Sequence, residues 1–354
     1  MRINLKKSYF GEKEFLLAEH GEFKAISFKY STGVEALKVE NSKGYFIILP
    51  FQGQQIWRAK FCGRDLTMKT KFGEPVPTKE YLKTYGGFLL HCGACAFGVP
   101  QVDDKHPQHG ELPNADYDNA YIEMADDYIE VGGTYNYDVS FVKNYSFTPR
   151  CRLCAGDTVL KINITLENRR NFPMDYMYLC HINFRPIDGA EIVCSAAYDG
   201  IKIFNPVNDD MPIEQKNRLN DYVSLLENNP HIHNKIGNSD EYYNPEICFG
   251  IYDYKADSEG RAYTLQYADD GAFYVSHPVS VLPVAIRWIS RSSDEDSMGM
   301  VLPATAEHLG YSHAKATGQL KYLPPYSKIS FEIEAGYLVK EEADTVRNKI
   351  EHIL

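Results

Sequence analysis

The segment Leu160-Lys161-Ile162-Asn163-Ile164-Thr165-Leu166 alternates apolar and polar residues without a break. Side chains on an extended chain point to opposite faces in turn, so this pattern sets one face on a core and the other toward water and predicts a β-strand. Similar short runs occupy 34–39, 45–49, 121–124, 128–131, 135–141, 177–182, 262–267 and 329–333. Turn signals such as Asn41-Ser42-Lys43-Gly44 and Gly132-Gly133 separate them. Many strands at close spacing predict an all-β sandwich or barrel. Helical periodicity is confined to two peripheral stretches, 214–227 and 343–354; in the second, Val346, Ile350 and Ile353 share one stripe. The polar stretch 228–244 reads as a long loop of the kind that rims binding sites on β scaffolds.

Large all-β sandwiches run past two hundred residues as single units, and no internal repeat or low-complexity linker divides this 354-residue chain. Residues 1–354 are therefore read as one domain. Apolar residues at 44% and aromatics at 13% suffice for an extended core between packed sheets, which excludes disorder. A formal charge of -11 repels a phosphate backbone or an anionic lipid surface, so neither nucleic acid nor membrane is expected as a partner. No long apolar run suits a spanning helix and the start MRINLKKSYFGEKEF does not resemble a signal peptide, which predicts a cytoplasmic protein. Its eight cysteines are then reduced. Cys92/Cys95 and Cys151/Cys154 have the spacing of zinc half-sites, but they lie far apart and the first pair sits in an apolar, Gly-rich segment. They read as small core residues, with no metal site.

Two polar constellations stand out. Asp103-Asp104-Lys105-His106-Pro107-Gln108-His109-Gly110-Glu111-Leu112-Pro113-Asn114 packs two histidines and three carboxylates into a segment too broken for a regular element. Just upstream, Tyr85-Gly86-Gly87-Phe88-Leu89-Leu90-His91-Cys92-Gly93-Ala94 places His91 in a glycine-punctuated apolar strand, where backbone can approach a ligand closely. The second constellation is Tyr178-Leu179-Cys180-His181-Ile182-Asn183-Phe184-Arg185. Alternation puts His181, Asn183 and Arg185 on one strand face, an arrangement that suits a many-hydroxylated ligand as well as a solvated sheet surface.

In the order and spacing of these two motifs, and in Leu282-Pro283, Arg287-Trp288, Gly318-Gln319-Leu320 and Leu323-Pro324-Pro325, the chain resembles a divergent bacterial branch of the aldose 1-epimerase (galactose mutarotase-like) superfamily. The resemblance implies a β-supersandwich of twisted antiparallel sheets with a sugar cleft on its concave face and few peripheral helices. It also implies interconversion of sugar anomers by a carboxylate base and a histidine acid, with no cofactor and a small-molecule sugar as substrate. Opening a hemiacetal near neutral pH does need an acid and a base about one C–O bond. By motif, His181 matches the family's general-acid histidine and His109 the histidine preceding Gly that assists at the ring. His91, Glu111, Asn183 and Arg185 are expected as substrate-binding neighbours.

One departure bears on the mechanism. The slot where this branch is expected to carry its catalytic Glu, in Met298-Gly299-Met300-Val301-Leu302-Pro303-Ala304-Thr305, holds Leu302, which cannot accept a proton. Glu307 or Glu111 then takes the role, with Glu307 the first choice, or the protein binds sugar without epimerising it. A different isomerase or lyase reaction in the same cleft stays open, because related folds host such chemistry. Glu332 and Glu334 read as solvent-facing, His231 and His233 as loop residues, and Trp57 and Trp288 as buried packing. No P-loop, GxGxxG, HExxH or GxSxG pattern occurs, which disfavours nucleotide, zinc-protease and serine-hydrolase functions. A homodimer is compatible with the sequence.

Overall fold

The structure, a computed structural model, describes residues 1–198, 201–204, 211–237 and 246–354. Val159–Asn168 is a central strand of a nine-stranded sheet, paired antiparallel with Lys143–Cys154 on one side and Lys328–Val339 on the other. Leu160, Ile162, Ile164 and Leu166 are each at most 3% exposed. On the opposite face Asn163 donates to the Glu332 carboxylate and the Thr165 and Ser330 hydroxyls pair. The register Ile162↔Ile333 and Ile164↔Phe331 keeps the apolar sets of neighbouring strands on one side. Each such side chain contributes about 1.5–3 kcal/mol over leaving it exposed, which makes a one-residue slip prohibitive.

The second sheet has thirteen strands among the described residues. Its path runs from Phe15–His20 through Leu89–Ala94 and Met174–Ile182 to Asp296–Ala304, Val284–Arg291 and Ile247–Ile251. The two sheets meet through aromatic pairs: the Tyr178 and Phe331 rings lie 5.3 Å apart, and Phe184 stacks on Phe273 at 5.1 Å. One apolar cluster extends from Leu5 to Tyr337 across both sheets. The helices Ile213–Asn228 and Lys340–Ile353 lie where the periodicity predicts them. Gly310–Ala316 is a third, with seven residues too short to show a helical stripe in the sequence. No helix among the described residues is long and apolar enough to cross a membrane.

Two local expectations are corrected. Gly132-Gly133 is not a turn, because Tyr128–Val139 runs through it as one strand. A Cβ at Gly133 would stand 2.6 Å from the Asn119 carbonyl oxygen of the neighbouring strand, so the glycine there admits a close approach. Within 228–244, Pro230–Asn234 forms a short 3-10 helix whose first turn is capped by the Asn229 side chain accepting from the His231 N–H. Residues 238–244 lie outside the described residues.

Burial also sets the acid sensitivity of the fold. It pushes His91 and His277 down to about 3, and His181 and His308 down to about 4. An imidazole in the unfolded chain titrates near about 6.5. Between roughly pH 6.5 and 4 the unfolded chain takes up protons that the folded chain refuses. Stability present above that window is therefore lost as pH falls, by about 1.4 kcal/mol per pH unit for each such histidine. The melting temperature should drop steeply from pH 6.5 to 4.5; a flat profile across that range would contradict the burial of these rings.

Candidate active site

On the strand Met174–Ile182, Tyr178 and Cys180 point into the space between the sheets, so Leu179 and His181 point out of the opposite face. There they join Ile286 and Trp288 of Val284–Arg291, Leu302 of Asp296–Ala304 and Cys248 of Ile247–Ile251 as the floor of a pocket. Tyr81, Leu82, Tyr85, Val99, Gln108, His109, Glu246 and His308 complete its wall. The space, taken out to the mouth, is ≈ 560 Å³.

The pocket brings together the two imidazoles singled out by sequence. The rings of His109 and His181 lie 5.4 Å apart, edge to face. Backbone pairing accounts for this. The His109 carbonyl accepts from the Gly93 N–H at 3.0 Å, and Gly93 belongs to Leu89–Ala94, the strand that pairs directly with the one carrying His181. His109 itself sits at φ 59 and Gly110 at φ 83, a left-handed turn that swings the imidazole onto Tyr81 at 4.5 Å. Gly93, two residues from His91, therefore receives the His109 loop on its backbone N–H and carbonyl, while Gly86 and Gly87 pack against Thr70 and against Gln55, Ile56 and Trp57.

Asn183 decides the state of His181. Its amide nitrogen donates to the Gly87 carbonyl at 2.9 Å, leaving its oxygen to accept from the Tyr85 hydroxyl at 3.1 Å and from His181 Nδ1 at 2.7 Å. His181 thus carries its proton on Nδ1 and keeps Nε2 as a lone-pair nitrogen. With burial holding its pKa near about 4, the ring is neutral at neutral pH and offers the pocket a proton acceptor. Burial, reinforced by His181, also keeps His109 neutral, and His308 is neutral for the same first reason. The Nδ1 atoms of His109 and His308 find no hydrogen-bond partner among the described residues.

Several expected neighbours lie elsewhere. His91 pairs across from Cys180, so the two-residue period puts it on the other face from His181; it bonds the Tyr178 hydroxyl at 2.8 Å between the sheets. Glu111 accepts from the Ala94 and Cys95 N–H groups and from the Tyr145 hydroxyl, away from the pocket. Arg185 donates to the Thr67 carbonyl and does not line the pocket. Asn183 is fully buried and acts through His181. Glu307 is occupied by the Tyr252 hydroxyl at 2.6 Å, Lys202 at 3.0 Å and His313 at 2.6 Å. Burial would raise its pKa, but these three donors outweigh burial and hold it down to about 2. That carboxylate is saturated, and its neighbour His308 faces the pocket instead.

Among the described residues, the carboxyl group that lines the pocket is Glu246, which neither polar constellation of the sequence contains. Burial pushes its pKa up, and the Trp288 indole N–H, 2.5 Å away, pulls it partly back. The same indole ring lies 5.4 Å from His181. Trp288 is thus a pocket residue and not only packing. Its alternation with Ile286 was the available signal, and for Glu246 it was its position two residues beyond the predicted rim loop 228–244. Leu302, at the position expected for the base, forms part of the floor.

This two-sheet antiparallel architecture is the fold of galactose mutarotase-like proteins. A candidate aldose 1-epimerase from Klebsiella pneumoniae superposes with a TM-score of 0.81 at 17% identity, over 100% of this chain and 91% of that one. A galactose mutarotase-like protein from Clostridium acetobutylicum gives 0.61 at 13% identity, over 90% and 99% of the two chains. A candidate mutarotase from Salmonella typhimurium gives 0.58 at 10%, over 92% and 97%. The chain belongs to the family described as a domain of unknown function, DUF4432, whose family model matches residues 31–336. A search of the curated proteins finds no match.

Proposed function

We propose that this protein is an isomerase of the aldose 1-epimerase type that interconverts the anomers of a free sugar, with His181 as proton acceptor and Glu246 as proton donor. The observation that carries this reading is the convergence of His109, His181 and Glu246 on one pocket. In the proposed cycle, His181 Nε2 takes the proton of the anomeric hydroxyl while the Glu246 carboxyl gives its proton to the ring oxygen. The C1–O5 bond breaks to leave an open-chain aldehyde. After rotation about C1–C2 the former ring hydroxyl attacks either face, its proton returns to Glu246, and the imidazolium returns its proton to the new anomeric oxygen. Protons balance over the cycle. This reverses the roles implied by family resemblance, and its support is the Nδ1–H tautomer imposed by Asn183 together with the raised pKa of Glu246. His109 is proposed as a hydrogen-bonding partner of the sugar, and residues 1–354 as one functional unit.

The test is the rate of anomer exchange, followed by NMR across a panel of free aldoses. Enzyme-dependent exchange on at least one sugar is expected. Leu302 favours a second reading, a sugar-binding protein without catalysis, which would appear as saturable binding with exchange at background.

A further inference from the structure

Beside His181 and Trp288, the pocket floor presents Leu179, Cys248, Ile286 and Leu302, exposed by 1%, 6%, 2% and 2%, drawn from four neighbouring strands. Three of these are aliphatic and the fourth is a weakly polar thiol. The groups able to bond a hydroxyl, His181, Glu246, His109, His308, Gln108 and the unpartnered Tyr81 hydroxyl, line the rest of the same pocket. None of the described residues lining the pocket is Lys or Arg. A sugar hydroxyl turned to Leu179, Ile286 and Leu302 would find no partner on those side chains, whereas a methyl or methylene group there would be buried favourably. A phosphate or carboxylate would meet neutral imidazoles and a carboxyl group, with no cation to receive it.

We propose that the ligand is an uncharged deoxy sugar, which turns the carbon lacking its hydroxyl toward Leu179, Ile286 and Leu302. The proposal rests on the sugar-handling reading above and names the substrate class of that same site. The leucine at 302 then has a positive role: it is a specificity residue that replaces a hydrogen-bonding side chain by an apolar surface. A pocket of this kind discriminates such pairs by about 10- to 100-fold.

Calorimetric titration of the full-length protein with matched pairs tests this directly: D-fucose against D-galactose, L-rhamnose against L-mannose, 6-deoxy-D-glucose against D-glucose, and 2-deoxy-D-glucose against D-glucose. At least one deoxy member should bind about 10-fold or more tightly than its parent, and glucose 6-phosphate and glucuronate should bind no better than glucose. In Leu302→Gln, confirmed folded by circular dichroism, the preference should shrink toward parity. Equal binding within every pair would overturn the deoxy-sugar proposal and leave the sugar-handling reading standing. Binding by none of these sugars would remove that reading and this proposal with it. The wild-type comparison decides the matter even if the variant does not fold.

Discussion

Replacing His181 with glutamine should slow anomer exchange on a responsive sugar by about 10²- to 10⁴-fold, the range usual for removing a positioned acid or base. Glutamine offers an amide N–H toward the Asn183 oxygen but has no nitrogen that can take up a proton from the substrate. The loss should therefore fall on kcat far more than on sugar affinity. The wild-type rate should fall as pH drops through about 4, where His181 acquires its proton, and this limb should vanish in His181→Gln. Exchange measured by NMR, with circular dichroism to confirm folding, checks the prediction. More than a tenth of the wild-type rate in a folded His181→Gln protein would remove His181 from the chemistry.

A stability loss of about 3 kcal/mol or more is expected from Gly110→Ala. Gly110 has φ +83, and a Cβ placed there would stand 2.2 Å from the Ala96 carbonyl oxygen and 2.5 Å from that of Gly93. Both obstacles are backbone, so relief requires the loop to leave the strand Leu89–Ala94. That would break the Gly93 N–H to His109 carbonyl bond and shift the His109 ring away from His181. Gly156→Ala is the matched control: its φ is +66, yet nothing lies within 4 Å of the added Cβ. It should cost only the left-handed conformational penalty of about 1–2 kcal/mol. Denaturant unfolding of the two variants separates clash from backbone strain, and equal losses would mean that the His109 loop is not held as tightly as its hydrogen bonds indicate.

The all-β architecture was legible because alternation is a local signal. Leu160–Leu166 states which of its side chains share a face, and burying that face against a second sheet is the arrangement that satisfies it. The same alternation makes His181 and Asn183 neighbours from the sequence alone, two residues apart on one strand face. The broken segment around His109 could be recognised as a loop, although not as one bound edge-on to Leu89–Ala94.

Which face of which strand meets the pocket was a tertiary matter. His91 and His181 occupy adjacent strands with equally apolar surroundings, and only the register Cys180↔His91 sends one between the sheets and the other outward. Glu307 looked available until folding brought Tyr252, Lys202 and His313 onto its carboxylate from segments as distant as 105 residues. Glu246 gained its place from the pairing of Ile247–Ile251 with Val284–Arg291, which sets it beside Trp288. Periodicity along a chain says which side chains lie together on one element. The partners of a carboxylate, and the proton affinity they impose, depend on contacts made across elements, and those exist only once the sheets have assembled.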